Sequence, residues 1–317
     1  MFAHRLVRWS ALIFCLTTLA FVQSTPTAAH GIAGNRLFLG TLAFEDPAVM
    51  DELVLAGTNL KHFDDESSVI DKAITWEFSR LLTPTISIGV GGGFIHRDWG
   101  GVRRSGFDET DVMIKTMLYQ NDVHEVMISA GVAGGVGRSG AIGVGANQFT
   151  TVQPGVFFGK GFGDLPNGLA WLRPFAITGA VSLELPTSGN STSLDSSMPG
   201  EITPSPFRTD TITHWGVSIQ YSTFYLTPRY TGRLPKEEPL NQFIPLVEFA
   251  FDSPMRQRPL ATMNPGLAYV ADKYQLAAEA IVPLNAGAGK NTGVRVQLLL
   301  FTDDLFPSLF GKPLFGN

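Results

Sequence analysis

The stretch Phe175-Ala-Ile-Thr-Gly-Ala-Val-Ser-Leu-Glu184 changes character at every residue. Phe175, Ile177, Gly179, Val181 and Leu183 share one parity, and Ala176, Thr178, Ala180, Ser182 and Glu184 share the other. Successive side chains of a β-strand point to opposite faces, so this is a strand with one oily face and one small or polar face. The same period of two recurs along the chain. Ile86, Ile88, Val90 and Phe94 alternate with Ser87, Gly89, Gly91 and Gly93. Val112, Ile114 and Leu118 alternate with Asp111, Lys115 and Met117. Val294, Val296, Leu298 and Leu300 alternate with Arg295 and Gln297.

A soluble β-sandwich turns such oily faces inward, whereas a membrane barrel turns them out to lipid around a polar interior. Three features favour the barrel. The second face carries Gly, Ser, Ala and Thr, where a solvated surface would carry about 25–35% charged residues. Connections mostly alternate short and long. Leu82–Pro84, Gln120–Asp122, Asp164–Gly168 and Asp272–Lys273 are short, while Arg97–Ser105, Gly137–Asn147, Pro186–Phe207 and Asp252–Ala261 are long. Thr227–Leu240 is long where a short turn is due. Trp99, Tyr119, Trp171, Tyr221 and Phe301 sit near segment ends, as interfacial girdles would.

The fold class expected is therefore all-β, a single antiparallel transmembrane barrel of about twelve strands, within the usual range for such proteins. The strands are expected near 51–60, 73–81, 85–96, 106–119, 123–136, 148–162, 169–185, 208–226, 241–251, 262–271, 274–283 and 291–301. Apolar parity switches after Tyr221, which reads as a bulge. Both barrel termini fall on the periplasmic side, with short periplasmic turns and longer extracellular loops.

The flanks fit export. Arg5 and Arg8 precede the apolar run Ser10–Val22, and Thr27-Ala28-Ala29 supplies small residues for cleavage. That order marks residues 1–29 as a signal peptide, too short in its apolar core to span a bilayer as a helix. Residues 30–50 are left as a periplasmic segment, a lumen plug or an inner strand, 51–301 as the barrel and 302–317 as a tail. Across the 317 residues only 16% are charged, with a net charge of −5 and one cysteine. No basic stripe suits a nucleic-acid partner, and no disulfide scaffold is possible.

Asn291-Thr-Gly293-Val-Arg-Val296-Gln-Leu298, with Phe301 beyond, resembles the assembly signal on the last strand of bacterial outer-membrane barrels. Such barrels usually stop at the aromatic, whereas this chain continues through Leu305-Phe306, Leu309-Phe310 and Leu314-Phe315. Asn264–Val270, the Asp272-Lys273 turn, Tyr274–Pro283 and Pro245–Phe251 are similar to the outer-membrane family named for the meta-pathway of phenol degradation. The resemblance implies an outer-membrane passive channel or transporter for small solutes, hydrophobic or aromatic ones among them. Its implied partners are outer-membrane lipid, the assembly machinery and the solute itself.

No enzymatic motif is evident. Gly137-Arg-Ser139-Gly140 lacks the spacing of a nucleophile elbow, and Gly89–Gly93 has no Lys-Ser/Thr after it to make a phosphate loop. A mature chain beginning at His30 would offer an amine and an imidazole to copper, but His62, His96, His124 and His214 are scattered, so no metal or other cofactor is expected. Parity directs Glu109, Asp111, Lys115, Glu248, Glu279 and Arg295 inward as pore-lining residues. If Pro283 opposes Asn291, Glu279 stands directly across from Arg295. That pair is either structural or part of a charge-filtering eyelet. The competing role for the whole chain is a closed structural or surface-binding barrel.

Overall fold

The computed structural model describes residues 31–64, 67–99, 101–198, 201–226, 243–310 and 312–316. The expected signal peptide, His30 and the Thr227–Leu240 connection lie outside the described residues.

Twelve strands close one antiparallel barrel: β1 (Glu52–Asp64), β2 (Ser67–Thr83), β3 (Ile86–Trp99), β4 (Thr110–Asn121), β5 (Val126–Val136), β6 (Thr151–Gly161), β7 (Phe175–Pro186), β8 (Ile212–Tyr221), β9 (Phe243–Pro254), β10 (Leu260–Val270), β11 (Tyr274–Pro283) and β12 (Gly293–Phe301). Each pairs with its sequence neighbours, and β12 returns to β1 with Phe301 opposite Glu52 and Val294 opposite Asn59. Closure leaves these strands no free edge, so their ladder donors and acceptors are satisfied within the wall.

The alternation sorts the two faces. Ile74, Ile114, Val132, Val181, Leu276 and Val296 point outward and are exposed. Ser87, Ser129, Thr178, Ser218, Gln220 and Gln275 are buried on the inside. Around the rim near both barrel termini, the turn end, Phe175 meets Tyr221 edge to face at 4.9 Å and Phe243 meets Tyr269 at 5.1 Å.

Several local expectations give way. Trp99 and Phe301 are buried, not girdle residues. Phe301 continues the inward parity of Arg295, Gln297 and Leu299, and Trp99 lies close to the Arg97 guanidinium at 5.4 Å. The chain does not run as one strand from 106 to 119. Val102–Phe107 folds back on the outer half of β3, and β4 begins afresh at Thr110 on its inner half. The strand expected at 169 starts at Phe175, because Asn167–Leu172 forms a 3-10 turn. Arg173 holds that turn through Leu165 O at 2.8 Å and Asn167 Oδ1 at 3.0 Å. The parity switch after Tyr221 is a strand end followed by the 3-10 turn Thr223–Leu226, not a bulge. At the opposite rim, the loop end, the long β7–β8 connection carries its own hairpin, Asn190–Met198 against Glu201–Arg208.

The flanking segments pack on the barrel at different places. Residues 31–50 run through the interior, beginning with a two-residue hairpin, Ile32–Ala33 with Arg36–Leu37. Their apolar side chains complete an internal core at the turn end, where Phe38, Ala48 and Met50 pack with Met127, Leu299 and Phe301. Leu37 and Leu39 do the same with Ile244, Leu246 and Val270. The wall makes room with small residues. A Cβ on Gly159 would press on the Phe38 ring at 2.9 Å, and one on Gly216 would collide with Phe44. The tail instead follows the outside of the turn end. Arg80 binds the carbonyls of Leu309, Phe310 and Lys312, and Leu314 N and Phe315 N reach Leu81 O and Leu82 O.

Candidate functional site

The interior is organised by polar wall side chains that bind the backbone of residues 31–50. Non-repetitive backbone inside a barrel must find partners for its amide and carbonyl groups, and side chains supply them. Gln220 Oε1 accepts from Leu39 N at 3.3 Å. Gln275 both accepts from Gly40 N at 3.2 Å and donates to Gly40 O at 2.8 Å. Glu248 accepts from Leu42 N at 3.2 Å and Ala43 N at 2.7 Å. Arg295 donates to Leu42 O at 2.7 Å and to Glu279 Oε1 at 2.9 Å. Gln297 donates to Thr41 O, and Ser129 to Pro47 O.

Beside residues 40–46 a cavity of about 470 Å³ remains. It extends from Asp108 and Asp252 near the loop end to Glu52 and Gln297 near the turn end. Glu45, Glu77, Glu109 and Asp111 also line it. Below lies a recess of about 10 Å³ bounded by Glu45, Glu52, Glu77, Ser79, Ser87 and Lys115. That is about one water's worth of space. Lys115 is buried, ion-paired with Glu45, and donates to Asp46 O at 3.2 Å.

The six residues singled out from parity occupy different places. Asp111 lines the open cavity. Lys115 stands in the recess. Glu248, Glu279 and Arg295 lie against residues 42–43, away from both spaces, with Glu279 and Arg295 paired across β11 and β12. Glu109 stands one residue ahead of β4, and its carboxylate accepts from Asn147 N and Nδ2, each at 2.7 Å. It therefore ties down the β5–β6 loop. Alternation did not reveal Arg36, Glu45, Glu52 or Glu77. Arg36 and Glu45 lie in a segment without periodicity, and the alternating faces of β1 and β2 carried no sign of what would stand opposite them.

Burial first, and then the nearby Asp108 and Asp111 carboxylates, push Glu109 up to about 6 from its ordinary 4.5, while the Asn147 donors pull it down. The folded chain therefore holds this proton more tightly than the unfolded chain, and stability falls as pH rises from about 4.5 to about 6, then levels. Unfolding of the parent chain and Glu109→Gln in lipid vesicles checks this. Relative to the variant, the parent should lose stability across that window, and a relative gain would contradict the assignment.

Two further hydrogen-bonded groups sit apart from the cavity floor. His214 Nδ1 contacts Asp252 at 2.7 Å and Nε2 contacts Glu184 at 3.1 Å. At the turn end Glu125, in a left-handed backbone conformation (φ 48°), accepts from Gly163 N at 2.8 Å and also binds Arg36 and Tyr225. Among the described residues no group of three or more His, Cys, Asp or Glu side chains is arranged to hold a metal ion.

No family model matches the chain, and no curated protein does. Solved structures do. An outer membrane channel from Pseudomonas putida F1 is 9% identical, with 78% of this chain and 94% of that one covered at a TM-score of 0.52. The KdgM porin (10% identical) and the NanC porin (8% identical) each align over 78% of this chain and 98% of theirs, at a TM-score of 0.43. At 9% identity the likeness to the Pseudomonas putida channel is one of fold alone.

Proposed function

We propose that the chain is a bacterial outer-membrane channel for small solutes, exported with cleavage of residues 1–29 and inserted by the outer-membrane assembly machinery. The turn end faces the periplasm and the loop end faces outward. Strands of 9 to 17 residues match or exceed the 9–11 a tilted strand needs to cross the hydrocarbon. The outward apolar band is far more extensive than monomeric soluble proteins usually expose. The single observation that carries the channel reading is the cavity of about 470 Å³ inside the barrel, which runs from Asp108 and Asp252 near the loop end to Glu52 and Gln297 near the turn end. A pore needs no chemistry, only a polar path that replaces lipid.

The path is shut at the turn end by residues 31–50, so passage requires that segment to move. Pro47 and Ser129 are suited to test this, since Ser129 Oγ reaches Pro47 O at 2.9 Å. Pro47→Cys with Ser129→Cys places a thiol on the segment and one on the wall. In proteoliposomes, small-sugar flux should be present with reduced thiols, disappear on oxidation and return with reductant. Equal flux in both states would overturn a moving segment. No flux from the reduced or the parent chain would make the barrel a closed scaffold.

A further inference from the structure

The outer cavity is lopsided in charge. Glu45, Asp46, Glu52, Glu77, Asp108 and Asp111 all line it; Lys115, in the recess below, is already engaged with Glu45 and the Asp46 carbonyl, and His214, which also lines the cavity, is held by Asp252 and Glu184. An acidic lining alone would be unremarked, because water and salt can screen it. Glu52 is different. It is only 7% exposed, lines both the cavity and the recess, and its Oε2 has no hydrogen-bond partner among the described residues. A carboxylate oxygen withdrawn from water and left unpaired is costly, the more so beside Glu45 and Glu77. Something that donates hydrogen bonds and carries positive charge would relieve it.

The geometry selects among cations. An inorganic divalent ion needs several oxygens converging at 2.0–2.6 Å, and no such convergence of three or more ligating groups exists among the described residues. The carboxylates are instead spread along a cavity of about 470 Å³. A flexible solute with separated ammonium groups suits that spread, since each ammonium brings three donors and makes short charge-assisted bonds.

We infer that this cavity binds a small alkylammonium solute, a di- or polyamine, with one ammonium group at Glu52 and Glu77 and the rest directed toward Asp111. The inference rests on the channel reading for its physiological meaning, but its test does not. Purified full-length barrel in detergent is titrated calorimetrically with spermidine at fixed ionic strength, and with Mg²⁺ in a parallel arm. Spermidine should bind saturably at one site, unaffected by equimolar Mg²⁺. Glu52→Gln with Glu77→Gln should weaken it by at least about tenfold, as expected for the loss of charge-assisted hydrogen bonds. Heat-modifiable gel migration confirms that the variant is folded, and Asp111→Asn alone, which sits nearer the loop end, should weaken binding to a smaller extent. Absence of saturable binding, tighter binding of Mg²⁺ with displacement of spermidine, or full affinity in the double variant would each overturn the proposal. Sugar flux without spermidine binding would leave the channel intact and remove only this site. Binding without flux would do the reverse.

Discussion

Arg36→Ala should destabilise the barrel by about 3 kcal/mol, at the low end of what breaking a buried ion pair costs, and should increase solute flux. Arg36 is 1% exposed. Its Nε faces Glu125 Oε2 at 3.4 Å, while its other nitrogens reach Pro174 O at 3.1 Å and Arg173 O at 2.5 Å. The guanidinium also lies over the Tyr225 ring at 3.9 Å. One side chain thus fastens the start of the inner segment to the β4–β5 turn, the β6–β7 connection and the turn after β8. Truncation strands two carbonyls and leaves the Glu125 carboxylate with Gly163 N and the Tyr225 hydroxyl, which is why the low end of the range applies. Arg36→Lys should recover only part of the loss, because an ammonium can pair with Glu125 but lacks the planar fork that spans both carbonyls. Urea unfolding in lipid vesicles measures the stability, and flux through proteoliposomes measures the opening. A variant as stable and as tight as the parent would remove Arg36 from the anchoring role.

Glu248→Ala should have the second largest effect, about 2 kcal/mol, from two buried amides losing their acceptor at about 1 kcal/mol each. Glu248 is fully buried, and Leu42 N and Ala43 N both point at its carboxylate. Without it the bend of the inner segment at residues 42–43 loses its acceptor from β9. Glu248→Gln keeps one acceptor oxygen and should restore about half of the loss, a contrast that separates hydrogen bonding from simple cavity formation. Equal losses in Ala and Gln would mean that the charge, through the Arg295 and Glu279 pair nearby, carries the effect. No loss in either would show that the bend is held elsewhere.

Much of the architecture was legible from period-two patterning. The last hairpin shows why. Tyr274–Pro283 and the run from Gly293 to Leu298 alternate on both sides of the 284–292 connection, so register and facing follow together, and Glu279 opposes Arg295. Patterning assigns a residue to a face, however, and says nothing of what fills the space beyond that face. Gly159 and Gly216 are small because Phe38 and Phe44 stand against them, which alternation alone does not reveal. Arg36 and Glu125 are 89 residues apart, and no local rule connects them. Turn chemistry was the other blind spot. Residues 169–174 contain enough apolar side chains to resemble the beginning of a strand, yet Asn167–Leu172 winds into a 3-10 turn, held by the Arg173 contacts, that leaves Trp171 exposed.

The inner segment also bears on how the molecule comes together. Gly40 meets Gln275 and Thr41 meets Gln297, contacts 235 and 256 residues apart. Contacts so distant along the chain are slow to form, since the intervening loop entropy must be surrendered before they reward it. β1 follows directly on this segment and is also the strand that seals against β12. The strand that closes the seam is thus tethered directly to the segment that fills the interior.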